Sequence, residues 1–313
     1  MFVPFFSKPV VRLSRRRGGG GGGGGGKGGG GGGGKGGGGG SKGGSSSGGK
    51  ASSSSSGGRS GSSKSSSISS GGTKKTVSTY GNGGGKTFTI PAGQLFAGRT
   101  QGGATRSQIW GTRSYGSGYP GVFGRGVNNR GFPFYFWPIM WGTGVGYGAD
   151  ADYMHTNEYG SPDNSSRPGG PQSMAVFQSN STNTIFRLVA DNDTVSDLMP
   201  DVVSNCSMFL IPPSTNLSTP LNTSVMEPEQ VVQYYRASTV ALTLDGYNNT
   251  AVFAPENSTA DTPLPAGIDN QLLDCLNATI GQAVPLVDGA RSILAPPDMR
   301  FASLGLLLLL LLR

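Results

Sequence analysis

Residues 174–203 read MAVFQSNSTNTIFRLVADNDTVSDLMPDVV. Met174 to Gln178 and Thr184 to Ala190 are short apolar runs, and Ser-Asn-Ser-Thr lies between them. Such runs around a turn-forming break read as paired strands. Thr194 to Val203 reads as a helix that Pro200 interrupts. Downstream, Glu227 to Ala237 has an early Pro and first-turn Glu, which suits a helix start. Thr239 to Leu244 alternates, turns at Asp245-Gly246 and returns through Thr250 to Ala254 as a hairpin. Asp269 caps a helix whose Leu272, Leu273, Leu276 and Ile280 share one face. Mixed strands and helices without βαβ alternation give an α+β class. The expected architecture is one small mixed domain, with a Gly- and aromatic-rich β segment and a long disordered Gly/Ser-rich arm before it.

Outward from this block the composition changes. The chain has 313 residues, 57 of them Gly, and a net charge of +8. Residues 1–149 hold 19 Lys and Arg and no acid, whereas residues 150–313 hold 6 basic and 17 acidic residues. The two parts read as different materials. Residues 1–17 form a basic N-terminal segment. They lack an apolar run of the roughly 7–15 residues that a secretory leader needs. Residues 18–85 read as a disordered Gly/Ser/Lys-rich linker, because 47 of residues 18–72 are Gly or Ser and bury almost nothing. Order is expected from Lys86. Residues 86–150 form the β segment, opened by a strand over Lys86 to Ile90. It contains Phe132 to Trp141, too short to span a bilayer and read as buried extended chain. Residues 151–287 form an N-glycosylated α+β domain. Residues 288–313 form a lipid-signal or membrane tail.

Three signals carry chemistry. Nine of the 12 Asn between 164 and 279 begin Asn-X-Ser/Thr sequons. They are Asn164, Asn180, Asn192, Asn205, Asn216, Asn222, Asn248, Asn257 and Asn277. A single sequon says little; this density points to the secretory lumen. Cys206 and Cys275 read as one disulfide in that compartment, and two buried free thiols are the competing reading. The C-terminus fits a glycolipid (GPI) attachment signal. Asp288-Gly289-Ala290 are small, residues 291–300 make a spacer, and residues 301–312 make an apolar tail. Asp288 is the expected attachment residue.

Other motifs fail. Gly85-Lys86-Thr87 lacks the upstream Gly of a phosphate loop, since position 80 is Tyr, and a strand follows where a helix is required. His155 is a lone histidine beside Glu158. No Gly-X-Ser-X-Gly elbow occurs, and nothing in the spacing of the 17 acids selects a catalytic pair. No catalytic residue, cofactor or metal is expected, and the chain does not read as an enzyme. Arg99, Arg106, Arg113, Arg125 and Arg130 interleave with Phe96, Trp110, Tyr115, Tyr119 and Phe123. That pattern suits core packing first, a polysaccharide or membrane contact next, and nucleic acid last.

Ala97 to Gly121, Arg130 to Pro138, Ser166 to Gly170 and Val231 to Ser238 resemble glycine/serine-rich surface proteins of mushroom-forming fungi. The resemblance covers roughly residues 80–285. It implies a secreted or membrane-attached glycoprotein with a leader and supplies no activity. Residues 1–17 depart from it, so a misassigned first exon is expected. The leading expectation is a fungal cell-surface or secreted glycoprotein with a structural or interaction role. Its partners would be a membrane, through the C-terminal anchor or tail, and acidic wall polymers or anionic lipid, through the basic arm. The rivals are an intracellular nucleic-acid-associated protein and a secreted carboxylate-dependent hydrolase.

Overall fold

The computed structural model describes residues 64–70, 73–141, 157–212, 217–218, 221, 226–255 and 258–289. All lie in the compact unit Gly58–Arg313. The expectations for residues 1–63 and 290–313, for His155, and for Asn216, Asn222 and Asn257 fall outside the described residues.

Residues 64–70 and 73–85, expected as the end of the disordered linker drawn over 18–85, are folded. Strands β1 (Ser65–Ser70) and β2 (Thr73–Ser78) form an antiparallel hairpin. Each inserts one apolar side chain into the core, Ile68 and Val77. Composition hides this hairpin, because serines on alternate positions cost a strand little when they face water. Two short strands follow, β3 (Phe88–Thr89) and β4 (Thr100–Gln101), which pair with each other. The strand expected over Lys86 to Ile90 is therefore reduced to Phe88 and Thr89.

Strands β5 (Gln172–Gln178) and β6 (Ile185–Asp191) pair antiparallel with Phe177 opposite Phe186, as the apolar runs imply. Helix α1 (Asn192–Cys206) starts directly at the end of β6. Asp191 is its N-cap, and its carboxylate accepts from Thr194 N at 3.0 Å and Thr194 Oγ1 at 2.8 Å. Val195, Leu198, Val202 and Cys206 form the buried stripe of α1. Pro200 sits inside the helix on its exposed side. The helix continues past it, because Leu198 and Val202 stay anchored on either side.

Strand β7 (Leu217–Ser218) flanks β5. Strands β8 (Val231–Tyr235) and β9 (Val240–Leu244) complete an antiparallel sheet of order β7-β5-β6-β9-β8. The helix expected over Glu227 to Ala237 is overturned. Pro228 to Gln230 make one 3-10 turn, and the β-branched and aromatic Val-Val-Gln-Tyr-Tyr run then enters the sheet. The hairpin expected through Thr250 to Ala254 is overturned as well. Residues Thr250–Phe253 are a 3-10 turn, and β9 pairs with β6 and β8. Helix α2 (Asn270–Ala283) has the expected cap, with Asp269 accepting from Leu272 N at 2.9 Å. Strand β10 (Leu286–Val287) closes on β2.

All five residues of β9 are buried, so the sheet is covered on both faces. Neighbouring residues of a strand point to opposite faces. Tyr234 meets Tyr115, and its hydroxyl accepts from Trp141 Nε1 at 3.1 Å. Tyr235 turns to α2 and bonds Asn277. Helices thus cover one face and the buried run Phe132 to Trp141 the other. That run carries no regular ladder and is buried as expected, but it is not extended throughout, because it turns at Pro133 and Phe134, and Tyr135 has φ of 74°. Residues from both 86–141 and 157–287 share one hydrophobic core.

The β8–β9 turn places Arg236, Ala237 and Ser238 at φ of 51°, 51° and 59°. Three successive side-chain-bearing residues in the left-handed region carry strain. Arg236 is fully buried there and donates to Asp191 Oδ2 at 2.6 Å, Thr239 Oγ1 at 2.7 Å and Pro285 O at 2.9 Å. Replacing one member of such a pair leaves a buried charge uncompensated, at about 3–5 kcal/mol. Arg236→Met should lower unfolding stability by about that much. Arg187→Met removes only the half-exposed bidentate contact to Asp245 and should cost about 1 kcal/mol or less. Urea unfolding of the two variants compares these losses directly.

Candidate functional site

Six of the nine sequon asparagines lie among the described residues, and none of them is buried. Asn180, just after β5, Asn205, near the end of α1, and Asn248, after β9, are exposed. Asn164, Asn192 and Asn277 are half-buried. Asn164 Oδ1 accepts from Ser166 N at 2.9 Å in a local turn. Asn192, the first residue of α1, accepts from Ser173 Oγ at 3.1 Å. Asn180 Nδ2 donates to Met208 O at 2.9 Å. By contrast, Asn249 is fully buried and begins no sequon. Its amide is consumed by Asp261 Oδ1 and Thr262 N, both at 2.9 Å.

The two cysteines form the disulfide that their number and setting suggest. Cys206 ends α1, and Cys275 lies one turn and a half into α2, with Cα atoms 5.8 Å apart. The bond crosses 69 residues of sequence. Closing a loop of that size removes about 4 kcal/mol of unfolded-state freedom on the entropic account. Asn205 and Asn277 flank this staple on the two helices.

The interleaved arginines are occupied within the fold. Arg106 donates to Gly81 O at 2.6 Å, Gly281 O at 3.0 Å and Val284 O at 2.8 Å. Arg125 reaches Ala251 O at 2.8 Å and Ala254 O at 2.6 Å. Arg130 reaches Gly116 O at 2.7 Å and Gly124 O at 2.8 Å. Arg113 bonds Tyr247 Oη and Thr262 O, both at 3.2 Å, and Arg99 pairs with Glu158. Of the aromatic residues among them, Tyr115 and Tyr119 are buried, and Phe96 packs on Phe132, Trp137 and Tyr159. Phe123 and Trp110 stay out, 96% and 48% exposed. Core packing thus accounts for most of the pattern.

Asp288, the expected lipid-attachment residue, follows β10 directly and is exposed. Its carboxylate accepts from Ser78 Oγ at 2.5 Å and Gly83 N at 2.9 Å. The chain therefore reaches this residue already tied to the β1–β2 hairpin.

A cleft of about 470 Å³ opens beside Asn164 and is lined by Ser69, Ser70, Phe96, Trp137, Ser166 and Arg167. Arg167 spends both terminal nitrogens on carbonyls of the fold, and its buried Nε has no hydrogen-bond partner among the described residues. It serves Tyr159 O and Trp137 O at 3.2 Å and Pro138 O at 2.5 Å, and burial lowers its guanidinium to about 10. Ser69, Ser70 and Ser166 supply the hydroxyls there, a lining suited to weak contact with other hydroxylated molecules.

The sequence selected no carboxylate pair, but the structure brings Glu227 and Glu229 together across the one-turn helix before β8. Burial and then the bond to Glu227 raise Glu229 to about 7. Its Oε2 is buried with no hydrogen-bond partner among the described residues. The signal was the spacing Glu-Pro-Glu, legible only once the intervening turn is known. The cleft beside Asn164 and two others near Tyr119 and Phe123 lack Glu227 and Glu229 in their linings.

A carboxyl with a raised folded-state value holds its proton longer in the native state than in the unfolded chain. Native protein binds more protons between about 4.5 and about 7, so stability falls as pH rises through that window. Glu229→Gln should flatten this fall and leave the variant the more stable of the two above pH 7. Urea midpoints measured across the window report it, and an unchanged slope in the variant would exclude Glu229 as the source.

No family model, curated protein or solved structure matches the chain.

Proposed function

We propose that this chain is a cell-surface or secreted glycoprotein with a structural or interaction role, and that it is not an enzyme. The observation that carries this reading is the contrast among asparagines. The six described sequon side chains are exposed or half-buried, while the fully buried Asn249 begins no sequon. A disulfide between α1 and α2 suits the same oxidising compartment.

A lipid anchor at Asp288 is part of the proposal. Among the described residues, all those of the shared core precede Asp288, which suits cleavage after it. The basic Gly-rich arm would hold acidic wall polymers or anionic lipid by charge, an attraction that salt weakens. The alternative of nucleic-acid binding loses support from the arginines between 99 and 130, whose donors go to carbonyls of the fold.

The test is the gel mobility of the native protein, taken from its own cells, with and without an enzyme that removes N-glycans. A downward shift on treatment is the expected result. An unchanged mobility, with the protein clearly present, overturns the glycoprotein reading and returns the choice to a cytosolic or nuclear partner of the arm.

A further inference from the structure

Trp110 is the most exposed of the three tryptophans, at 48%, against 8% for Trp137 and 3% for Trp141. Its exposure is not looseness. The indole lies against α2 at Gly281, where an added Cβ would sit 2.4 Å from its Cζ2. Its backbone bridges to Tyr235, and the two rings are 5.3 Å apart. A rigid aromatic face is therefore held open beside the helix.

Gly281 stands four residues after Asn277 on α2, so the two share one side of the helix, about 5–6 Å apart at Cβ positions. Tyr235 links them from below, because its hydroxyl donates to Asn277 Oδ1. That bond fixes the Asn277 amide by its oxygen. Its Nδ2 has no hydrogen-bond partner among the described residues and is the atom an N-glycan uses.

We propose that Trp110, backed by the fully buried Tyr235, forms a stacking platform for the first N-acetylglucosamine of a glycan on Asn277. The proposal rests on the glycoprotein reading above and adds the surface that receives the sugar. The apolar face of the sugar ring would cover the indole, removing aromatic area from water. Glycan transfer forms a bond between Asn277 Nδ2 and the sugar C1. The bond from C1 to a lipid-diphosphate carrier breaks, the diphosphate leaves with the electron pair, and Nδ2 loses one proton. The sequon hydroxyl of Thr279 is 4% exposed and packs beside Cys206. Transfer therefore precedes the packing of α1 on α2, and the sugar is in place when Trp110 docks.

Hydroxyl-radical footprinting of the native glycoprotein reads the platform, because trypsin releases Trp110 in the peptide 107–113, apart from Trp137 and Trp141. Three glycan states are compared: intact, trimmed to one sugar, and fully removed. Trp110 should oxidise at the same slow rate in the first two states and about threefold faster in the third, as the stacked face opens. Asn277→Gln should match the third state, and Asn180→Gln should not. Slow oxidation of Trp137 throughout shows that the fold is intact. Equal Trp110 rates with an occupied Asn277, before and after removal, overturn the platform. A bare Asn277 in a protein glycosylated elsewhere overturns it too and leaves the proposed function standing. Absence of every glycan overturns both.

Discussion

The buried pair of Arg236 and Asp191 is the point on which the architecture depends. Asp191 ends β6, caps α1 and abuts Gly169, where no side chain would fit beside it. Arg236 begins a turn of three left-handed residues, and its backbone N–H reaches Ile109 O at 2.7 Å. Its guanidinium lies 3.4 Å from the Phe136 ring centre and bonds Pro285 O, the entry to β10. Taking an ion pair out of water costs several kcal/mol per ion unless the remaining donors find partners. Here Nε, Nη1 and Nη2 each have one. Burial lowers the guanidinium only to about 10, so it stays charged at neutral pH. One side chain thereby joins the sheet, the helix start, the aromatic run and the closing strand.

The same logic extends through the Gly-rich region. Residues 98–131 have little ladder, so their carbonyls need other donors. A guanidinium offers five N–H groups in a planar fork and can serve several carbonyls at once. Arg106, Arg125, Arg130 and Arg167 all do so. Lysine, with a compact and strongly hydrated head, would not replace them. The region between 99 and 130 has five arginines and no lysine, whereas Lys predominates in the stretch before it. Arginine there is a substitute for secondary structure.

Much of the fold was legible, and the misses have physical causes. β5, β6, β9 and α2 announce themselves because their apolar runs are unbroken and Asp269 stands at the right place to cap. Pro228 with Glu229 imitates a helix start, and only the β-branched, aromatic content of Val231 to Tyr235 argues against it. Ile68 and Val77 were hidden among serines, since a strand with one buried residue has no periodicity to read. The Cys206–Cys275 bond followed from counting. The proposed platform at Trp110 could not be read, because Trp110 lies more than a hundred residues before Tyr235 and Asn277 and meets them only through β8 and α2. Glu227 and Glu229 were visible as residues but not as a pair.

The sharp charge asymmetry of the sequence suggested two materials with separate tasks. Within the described residues, the basic part is instead threaded into the acidic one. Arg106 bonds the end of α2, Arg113 reaches Thr262, and Arg125 holds the carbonyls of 251–254. These contacts are charge–dipole bonds made at close range and partly out of water, which dissolved salt screens weakly. Under the proposed function, the lysines before Lys64 would attract an acidic polymer by charge, and raising the ionic strength would weaken that attraction. The arginines that substitute for a ladder would still keep the fold closed.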